Sequence, residues 1–256
     1  NKQATDGDID GAIDGDINAR GTQVVGQNVT LNAAHDINLE RAKDTSQQSS
    51  SNRSRGGSIG VGVGLGGQQN GLTLELGVSS SQGNANGQSV TNRDTRLTAG
   101  NTLSITSGRD TNLRGAEVSG KTVEASIGRD LTIQSQQDTS TYDSTQSSAG
   151  FQASLCVPPL CVGQTVSGSG SVSQQKIDST YQSVKQPSGI YAGEGGFNVE
   201  VGNHTQLDGG VMASAAAPDR NSLSTQTFGY TDLENHASDS GDTIGLSASG
   251  GFGQST

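Results

Sequence analysis

Short apolar alternations recur along the chain at regular intervals. Each unit is a glycine, two variable residues and then two apolar residues separated by one position. Clear copies lie at 100–105, 108–113, 120–125 and 128–133. Their glycines, Gly100, Gly108, Gly120 and Gly128, alternate between steps of eight and twelve positions, so the compound period is twenty.

The N-terminal stretch follows the same spacing. Ile9, Ile17, Val29 and Ile37 again alternate between steps of eight and twelve positions, and a shorter copy lies at 197–207. Period-two alternation predicts short strands with one buried face. Because no two-residue reversal joins equal partners, hairpins are not expected here. The compound period of twenty instead predicts parallel, in-register stacking of successive coils, which is a β-helix.

A longer repeat is superimposed on the coils. Residues 43–46 recur in modified form at 137–140, residues 58–65 recur at 148–155, and a further copy starts at 243–246. Each copy contains paired alternating segments, 59–65 with 72–78 and then 149–157 with 160–172. These predict antiparallel β-hairpins projecting from a single elongated β-helix. The predicted coils cover about 6–42, 95–135 and 190–235, and the hairpin segments cover about 43–94, 136–189 and a truncated 236–256. The last copy stops partway, which predicts a fragment of a longer repetitive protein.

The first hairpin is strongly one-sided. Gly60, Gly62 and Gly64 alternate with the aliphatic residues of its first strand, and Thr73, Glu75 and Gly77 alternate with those of its second. The predicted apolar face consists of Ile59, Val61, Val63, Leu65, Leu72, Leu74, Leu76 and Val78. One interpretation is that this face packs on the next hairpin or on the side of the β-helix. The other is that it interacts with a membrane and lines a pore, although a transmembrane strand needs about 9–11 residues and these alternations span about seven.

Composition limits the core and the partners. The 256 residues include 38 glycines, only 29% are hydrophobic, and the formal net charge is −10. A thick core of large side chains is therefore excluded, whereas a thin β-solenoid needs only a few aliphatic residues in each coil. The acidic balance argues against nucleic-acid binding, and no apolar run is long enough for a membrane-spanning helix.

The two cysteines favour a local disulfide. Cys156 and Cys161 flank Pro158-Pro159, and no histidine lies near enough in sequence to complete a zinc site. Two free thiols are the alternative. A disulfide indicates an oxidising compartment such as the periplasm or the cell exterior.

Candidate chemistry is weak elsewhere. Asp6, Asp8, Asp10, Asp14 and Asp16 suit an oxygen-ligated cation such as calcium, but a complete calcium-loop pattern is missing. The structural interpretation makes them turn residues, with Ile9, Ile13 and Ile17 facing the interior.

Parallel β-helices also include polysaccharide lyases and hydrolases, so an enzyme has to be considered. Asp110 and Asp130 lie one coil apart and should stack, as should Arg109 and Arg129, so we expect a ladder of solvated charges rather than a catalytic pair. His35, His204 and His236 are isolated from one another. We therefore predict neither catalysis nor a cofactor.

Taken together, five segments resemble the haemagglutinin-repeat region of bacterial two-partner-secretion exoproteins, and in particular the second repeat block of contact-dependent growth inhibition (CdiA-type) toxins. The resemblance lies in residues 95–103, 107–120, 128–135, 189–193 and 223–235. It implies a right-handed parallel β-helix, export through a cognate outer-membrane transporter and display on a Gram-negative cell. It also implies neighbouring repeats of the same longer chain.

The resemblance implies two alternative functions. In growth-inhibition members this block is assigned to moving the C-terminal toxin across the outer membrane of the target cell, where that membrane or one of its proteins would be the partner. In simple adhesin members, related repeats form a passive stalk for attachment. The toxin itself is not expected within these 256 residues.

Overall fold

The computed structural model describes residues 2–3, 9–65 and 69–253, and it describes side chains from residue 11 onward in those ranges. Within them the chain forms strands and turns, with one three-residue 3-10 helix at Pro218–Arg220. The all-β prediction is confirmed. The chain divides into two compact units, which we call the coil unit and the sheet unit. The coil unit comprises Asn1–Thr45, Ser89–Thr139 and Tyr181–Ala237, and the sheet unit comprises Ser46–Gln88, Ser140–Thr180 and Ser238–Thr256.

Strands are numbered in chain order. They are β1 (Lys2–Gln3), β2 (Ile9–Ile13), β3 (Ile17–Arg20), β4 (Gln23–Gly26), β5 (Val29–Ala33), β6 (Ile37–Glu40), β7 (Ala42–Gly64), β8 (Gln69–Arg93), β9 (Thr95–Ser107), β10 (Thr111–Arg114), β11 (Ala116–Ile127), β12 (Asp130–Gln134), β13 (Asp138–Gly163), β14 (Val166–Ser183), β15 (Gly189–Val201), β16 (His204–Asp208), β17 (Val211–Ser214), β18 (Ser222–Ser224), β19 (Thr227–Thr231) and β20 (His236–Phe252).

The coil unit is a parallel β-helix, as the sequence predicts. Strands β3, β6, β10, β12, β16 and β19 form a six-stranded sheet, and the remaining coil strands form a nine-stranded sheet. Every strand pair that joins successive coils is parallel. Each of the six described coils therefore crosses the six-stranded sheet once and adds its other strand residues to the nine-stranded sheet.

The pairing register between coils shows both the predicted period of twenty and the inserted hairpin segments. Ile17 lies opposite Ile37, and Thr111 lies opposite Leu131, so each pair is one coil apart at the predicted period of twenty. Where a hairpin segment is inserted, neighbouring coils are far apart in the chain. Asn38 and Asn112, which are partners in the register, are hydrogen-bonded across a sequence separation of 74.

The last block of coils departs from the period of twenty. Gly189 lies opposite Val211, and Asn198 lies opposite Ser222 across a sequence separation of 24. The 3-10 helix follows Val211, so the loop that contains it contributes extra residues only to the separation between Asn198 and Ser222. The predicted period is therefore correct in the first two blocks and too short in the last.

Aliphatic side chains stack in columns inside the coils. Leu39, Leu113 and Ile133 occupy one column in successive coils, and all three are fully buried. Small residues complete the layers, and the buried cluster includes Ala33, Ala99, Ala116, Ala125 and Ala192. A core one side chain wide explains how so few apolar residues suffice.

The predicted interior position of Ile13 is wrong. Ile13 shares a column with the buried Ala33, yet 52% of its surface is exposed because no coil among the described residues covers it on the other side. Ile17 is partly buried against the core, as expected. The side chain of Ile9 lies outside the described residues.

Glycine is required at the turns because the coils approach closely there. A Cβ on Gly128 would collide with the carbonyl group of Gly108 one coil away, and one on Gly202 would collide with the carbonyl group of Gly128. The backbone amide of Gly128 donates to Ser107 O at 2.9 Å, which holds the two turns in register. The recurrent glycine of the repeat unit therefore permits stacking at the turn.

The sheet unit is a single five-stranded sheet in the order β20-β14-β13-β8-β7. Its neighbouring strands are antiparallel, because partner numbers fall along one strand as they rise along the next. Ser49 pairs with Asn86 in the first hairpin, and Ser148 pairs with Ser173 in the second. Strands β7 and β8 contain 23 and 25 residues, so they extend well beyond the alternating segments into the Ser-rich flanks.

Replacement of a column residue tests the coil core. We expect Leu113→Ala to lower the free energy of unfolding by about 2–5 kcal/mol, because its neighbours in the adjacent coils cannot fill the cavity. The matched change Ile13→Ala, at a half-exposed column position, should cost less than about 1 kcal/mol. Denaturant unfolding followed by circular dichroism measures both. Equal effects would contradict the column assignment.

Candidate functional site on the apolar sheet face

One face of the five-stranded sheet is aliphatic and the other is polar. Side chains alternate between faces along a strand, so the pairing register decides which residues share a face. Gly62 lies against Thr73, which places Val61 opposite Leu74 and Val63 opposite Leu72. The structure thus brings the eight predicted residues of the first hairpin onto one surface, which we call the apolar face.

The second hairpin continues the apolar face. Gly77 lies near Gln152, which places Val78 beside Phe151, and Gly150 lies near Ser171, which places Ala149 beside Val172. Leu246 of β20 lines the same shallow concavity of about 900 Å³ as Val78, Phe151 and Val172. The sequence prediction stopped at the first hairpin and missed these members, although the alternation at 149–157 and 243–246 is a usable signal.

The apolar face is uncovered. Its large side chains are exposed by between 38% for Leu74 and 90% for Leu65, so they do not pack against the other hairpin. The two hairpins join edge to edge, through β8 and β13, rather than face to face. Five strands about 4.8 Å apart, with alternation over roughly 20 Å, give a projected surface of roughly 400–500 Å². Contiguous apolar surfaces of this size mark interaction sites.

The opposite face has a different chemistry. Glycine, serine and glutamine line its concavity of about 530 Å³, with Ser58, Gln152, Ser169, Ser171 and Ser247 among them. Small polar side chains keep this face hydrated. The sheet is therefore amphipathic across a thickness of one strand layer.

Cys156 and Cys161 form a disulfide near the turn of the second hairpin. Both cysteines are buried, and no free cysteine remains. Gln69 crosses to this region, where its amide donates to Gln164 O at 2.7 Å and accepts from Ser154 Oγ at 2.6 Å. The tips of the two hairpins are thereby held together.

The Arg-Asp turns of the coil unit form a charge ladder. Arg129 donates to both carboxylate oxygens of Asp110 at 2.7 and 2.5 Å, and Arg109 binds Asp36 of the preceding coil at 3.2 and 3.1 Å. Asp36 and Asp110 also accept backbone amides from the next turn, at 3.1 and 3.3 Å. The Arg129 guanidinium lowers the pKa of Asp110 through its hydrogen bond. The two arginines, which are about half exposed, thus form ion pairs with aspartates of the preceding coil.

Asp16 belongs to the same ladder. Its carboxylate accepts the Asp36 amide at 3.1 Å. Asp6 and Asp8 lie outside the described residues, as does the side chain of Asp10, so neither the structural interpretation of these three aspartates nor the calcium alternative is tested. Across residues whose side chains the structure describes, no group of three or more potential metal ligands occurs.

The histidines occupy separate surroundings. His204 contacts Thr227 Oγ1 at 2.7 Å and Gln206 Oε1 at 3.3 Å, while His35 lies 3.9 Å from Asp16. His236 begins β20. The three histidines are not in contact with one another in the described part of the chain.

Sequence inspection missed a partly buried charged cluster in the coil unit, because its members come from segments that are distant in the chain. Asp138 accepts the Asn92 amide at 2.7 Å and binds Lys185 at 2.8 Å. Burial raises the pKa of Asp94, and the nearby carboxylate of Asp138 raises it further. Burial also lowers the pKa of Arg41. These residues lie where the chain enters or leaves its hairpin segments.

No helix in the described part of the chain is long and apolar enough to cross a membrane.

These features define a class of protein, a parallel β-helical repeat that carries an amphipathic hairpin sheet. Residues 3–150 match the hemagglutinin repeat family. The chain belongs to this family, which confirms the resemblance seen in the sequence.

Relatives extend the match over most of the chain. It is 45% identical to Toxin CdiA of Escherichia coli over 94% of its length, and 43% identical to tRNA nuclease CdiA of Escherichia coli O6:K15:H31 (strain 536 / UPEC) over 93%. It is 42% identical to Deoxyribonuclease CdiA of Dickeya dadantii (strain 3937), again over 93%. The chain spans only 7 to 8% of the length of these relatives. No solved structure matches it.

The disulfide can be tested by labelling. Alkylation without reductant should leave the mass of the chain unchanged, whereas reduction should expose both cysteines to label. Reduction should also destabilise the second hairpin by about 2 kcal/mol, the loop-entropy value for so short a loop. Two labels added to the folded, unreduced protein would contradict the bond.

Two carboxylates should respond to pH with opposite signs. The pKa of Asp94 is raised on folding, so its ionisation opposes the folded state as the pH rises. Asp94→Asn should therefore raise Tm at pH 7. The pKa of Asp110 is lowered, so its contribution to stability is fully present above its unfolded pKa of about 3.9 and is lost as the pH falls from there through the lowered folded pKa.

Asp110→Asn should lower stability at pH 7 by about 1 kcal/mol, because the charged hydrogen bonds to Arg129 are weakened. That corresponds to roughly 3 °C in Tm. As the pH falls into the acidic range both differences from the native chain should shrink, because Asp94 is protonated first and Asp110 follows as the pH passes its lowered pKa. Thermal scans at pH 7 and across the acidic range measure this. A lower Tm for Asp94→Asn at pH 7 would refute the assignment.

Proposed function

We propose that this chain is a structural and delivery segment of a secreted filament on the surface of a Gram-negative bacterium, exported through the periplasm. In interbacterial competition it helps carry a C-terminal toxin across the outer membrane of the target cell. Its partners are the cognate outer-membrane two-partner-secretion transporter, the target membrane or one of its proteins, and neighbouring repeats of the same longer chain.

The uncovered apolar face is the observation that supports delivery. A passive spacer needs only the stacked coils, whereas the sheet unit exposes Val61, Phe151 and Leu246 on one surface. In β13 the alternation runs from Ala149 to Val157, about 26 Å of strand at 3.3 Å per residue. The apolar band of transmembrane strands is about 25 Å tall. The dimensions fit insertion at a membrane, with the Gly/Ser face turned to water.

The relatives support a role without catalysis. They are named as a toxin, a tRNA nuclease and a deoxyribonuclease, yet this segment is 42 to 45% identical in all three. A segment shared at similar identity by proteins named for different activities is expected to serve their common delivery. We therefore place the enzymatic activity outside this segment.

Charge placed on either face of the sheet tests delivery. Val172→Glu with Leu246→Glu puts two carboxylates on the apolar face, whereas Ser171→Glu with Ser247→Glu puts them one position away on the polar face. Because a charge at membrane depth costs about 2–4 kcal/mol, the first pair should abolish protease protection by liposomes and the second should not. Loss in both pairs, or in neither, would contradict the membrane role.

Deletion of residues 43–94 separates delivery from the alternative, a passive adhesin stalk. The deletion leaves Ile37 and Thr111 as far apart in the chain as Gly189 and Val211, which pair across neighbouring coils, so the β-helix can close over the gap. In the longer protein, attachment retained with toxin entry lost would support delivery. Unchanged toxin entry would leave the stalk as the function.

A further inference from the structure

Basic side chains gather on one side of the coil unit, although the chain as a whole carries a net charge of −10. Arg20, Arg41, Lys43 and Arg114 line a concavity of about 560 Å³, together with the single carboxylate of Glu40. The parallel register creates this group. Arg20 lies opposite Glu40 and Glu40 lies opposite Arg114, so residues from three successive coils become neighbours.

Two of these four cations have no counterion nearby in the described part of the chain, because Glu40 faces Arg20 and the carboxylates of Asp94 and Asp138 attract Arg41. Glu40 is paired with Arg20 at 2.7 Å. In the described part of the chain, Lys43 and Arg114 make no ion pair and no side-chain hydrogen bond. Cations this close repel one another, so their clustering costs stability unless an anion binds between them.

Arg41 gives the concavity a partly buried wall. Its aliphatic stem packs where a Cβ on Gly115 would lie, and Gly115 has a φ of +66°. Its backbone amide donates to Arg114 O at 2.9 Å, which fixes the two arginines relative to each other. The Nη1 atom of Arg41 is buried and has no hydrogen-bond partner. The carboxylates of Asp94 and Asp138 attract this guanidinium, yet neither accepts a hydrogen bond from Nη1.

We propose that this concavity binds a phosphate-type oxyanion through Arg41, Lys43 and Arg114. Arginine presents paired donors that match phosphate oxygens, and lysine adds a compact charge beside them. The concavity has room for a pyrophosphate or for a phosphomonoester on a larger carrier. The carrier is either a soluble compound or a lipid headgroup.

The test is a calorimetric titration of the 256-residue chain with inorganic pyrophosphate at low ionic strength. Lys43→Ala with Arg114→Ala should weaken binding by at least about tenfold, because two charge-assisted contacts are lost. Arg41 is left in place because it packs on Gly115. The matched control is Arg53→Ala with Lys121→Ala, which removes the same charge at exposed positions and should leave the affinity unchanged. Circular dichroism verifies that both variants fold.

Flotation with vesicles distinguishes the carriers. Stronger binding to phosphatidylcholine vesicles that contain phosphatidic acid than to phosphatidylcholine alone, abolished by Lys43→Ala with Arg114→Ala, supports a lipid phosphate. Pyrophosphate binding without that difference supports a soluble ligand. Absence of pyrophosphate binding, or equal loss in both double variants, overturns the site. Since the titration involves neither toxin nor membrane, its failure would leave the delivery proposal standing.

Discussion

Parallel pairing between successive coils is the interaction on which the coil unit depends. A single coil has too few apolar side chains to bury a core of its own, and both of its edges present unpaired amides and carbonyls. Stacking solves both problems. The Ile37 amide donates a hydrogen bond to Asp110 O at 2.8 Å, and Leu39 pairs with Leu113 of the next coil. The register is kept even where a whole hairpin segment is inserted between two coils. The turns carry the glycines that permit this close approach.

Charged side chains of the coil unit have oppositely charged partners in some regions and lack them in others. In the ladder, Asp110 accepts hydrogen bonds from Arg129 and from the Asp130 backbone amide, and its lowered pKa means that its ionisation stabilises the stack. Near the hairpin segments, the opposite holds for Asp94, whose burial and carboxylate neighbour oppose ionisation. The basic concavity is a third case, because the cations brought together by the register have one carboxylate among them. The same stacking of coils that produces the stabilising ladder also gathers the cations of the proposed oxyanion site.

The strands of the sheet unit show the same alternation of apolar and polar side chains, but their apolar side chains do not form a buried core. In the coils, alternation buries one row of side chains in the interior of the β-helix. In the sheet, the aliphatic row of β7 and β8 remains in contact with solvent, and β13, β14 and β20 extend it. An exposed surface of this kind is costly in water and is maintained where it meets a partner. Under the proposed delivery function, this partner is a target membrane.

Periodic features could be predicted from the amino-acid sequence alone. The alternating steps of eight and twelve positions specified the coils, the strands and the turn glycines, and the alternation at 59–65 and 72–78 identified one apolar face. These are local patterns with fixed periods, so they are readable without coordinates. Ile13 shows the limit of that reading, because alternation gave it an interior position but exposure depends on whether a neighbouring coil covers it.

Contacts between distant segments became evident only in three dimensions. Edge-to-edge pairing of the hairpins into one sheet joined Phe151 and Leu246 to the apolar face, and stacking of coils placed Arg41 beside Arg114 and Asp94 near Asp138. The members of each pair come from different coils or different strands. No local pattern encodes such contacts, because they follow from the pairing register across whole coils and hairpins.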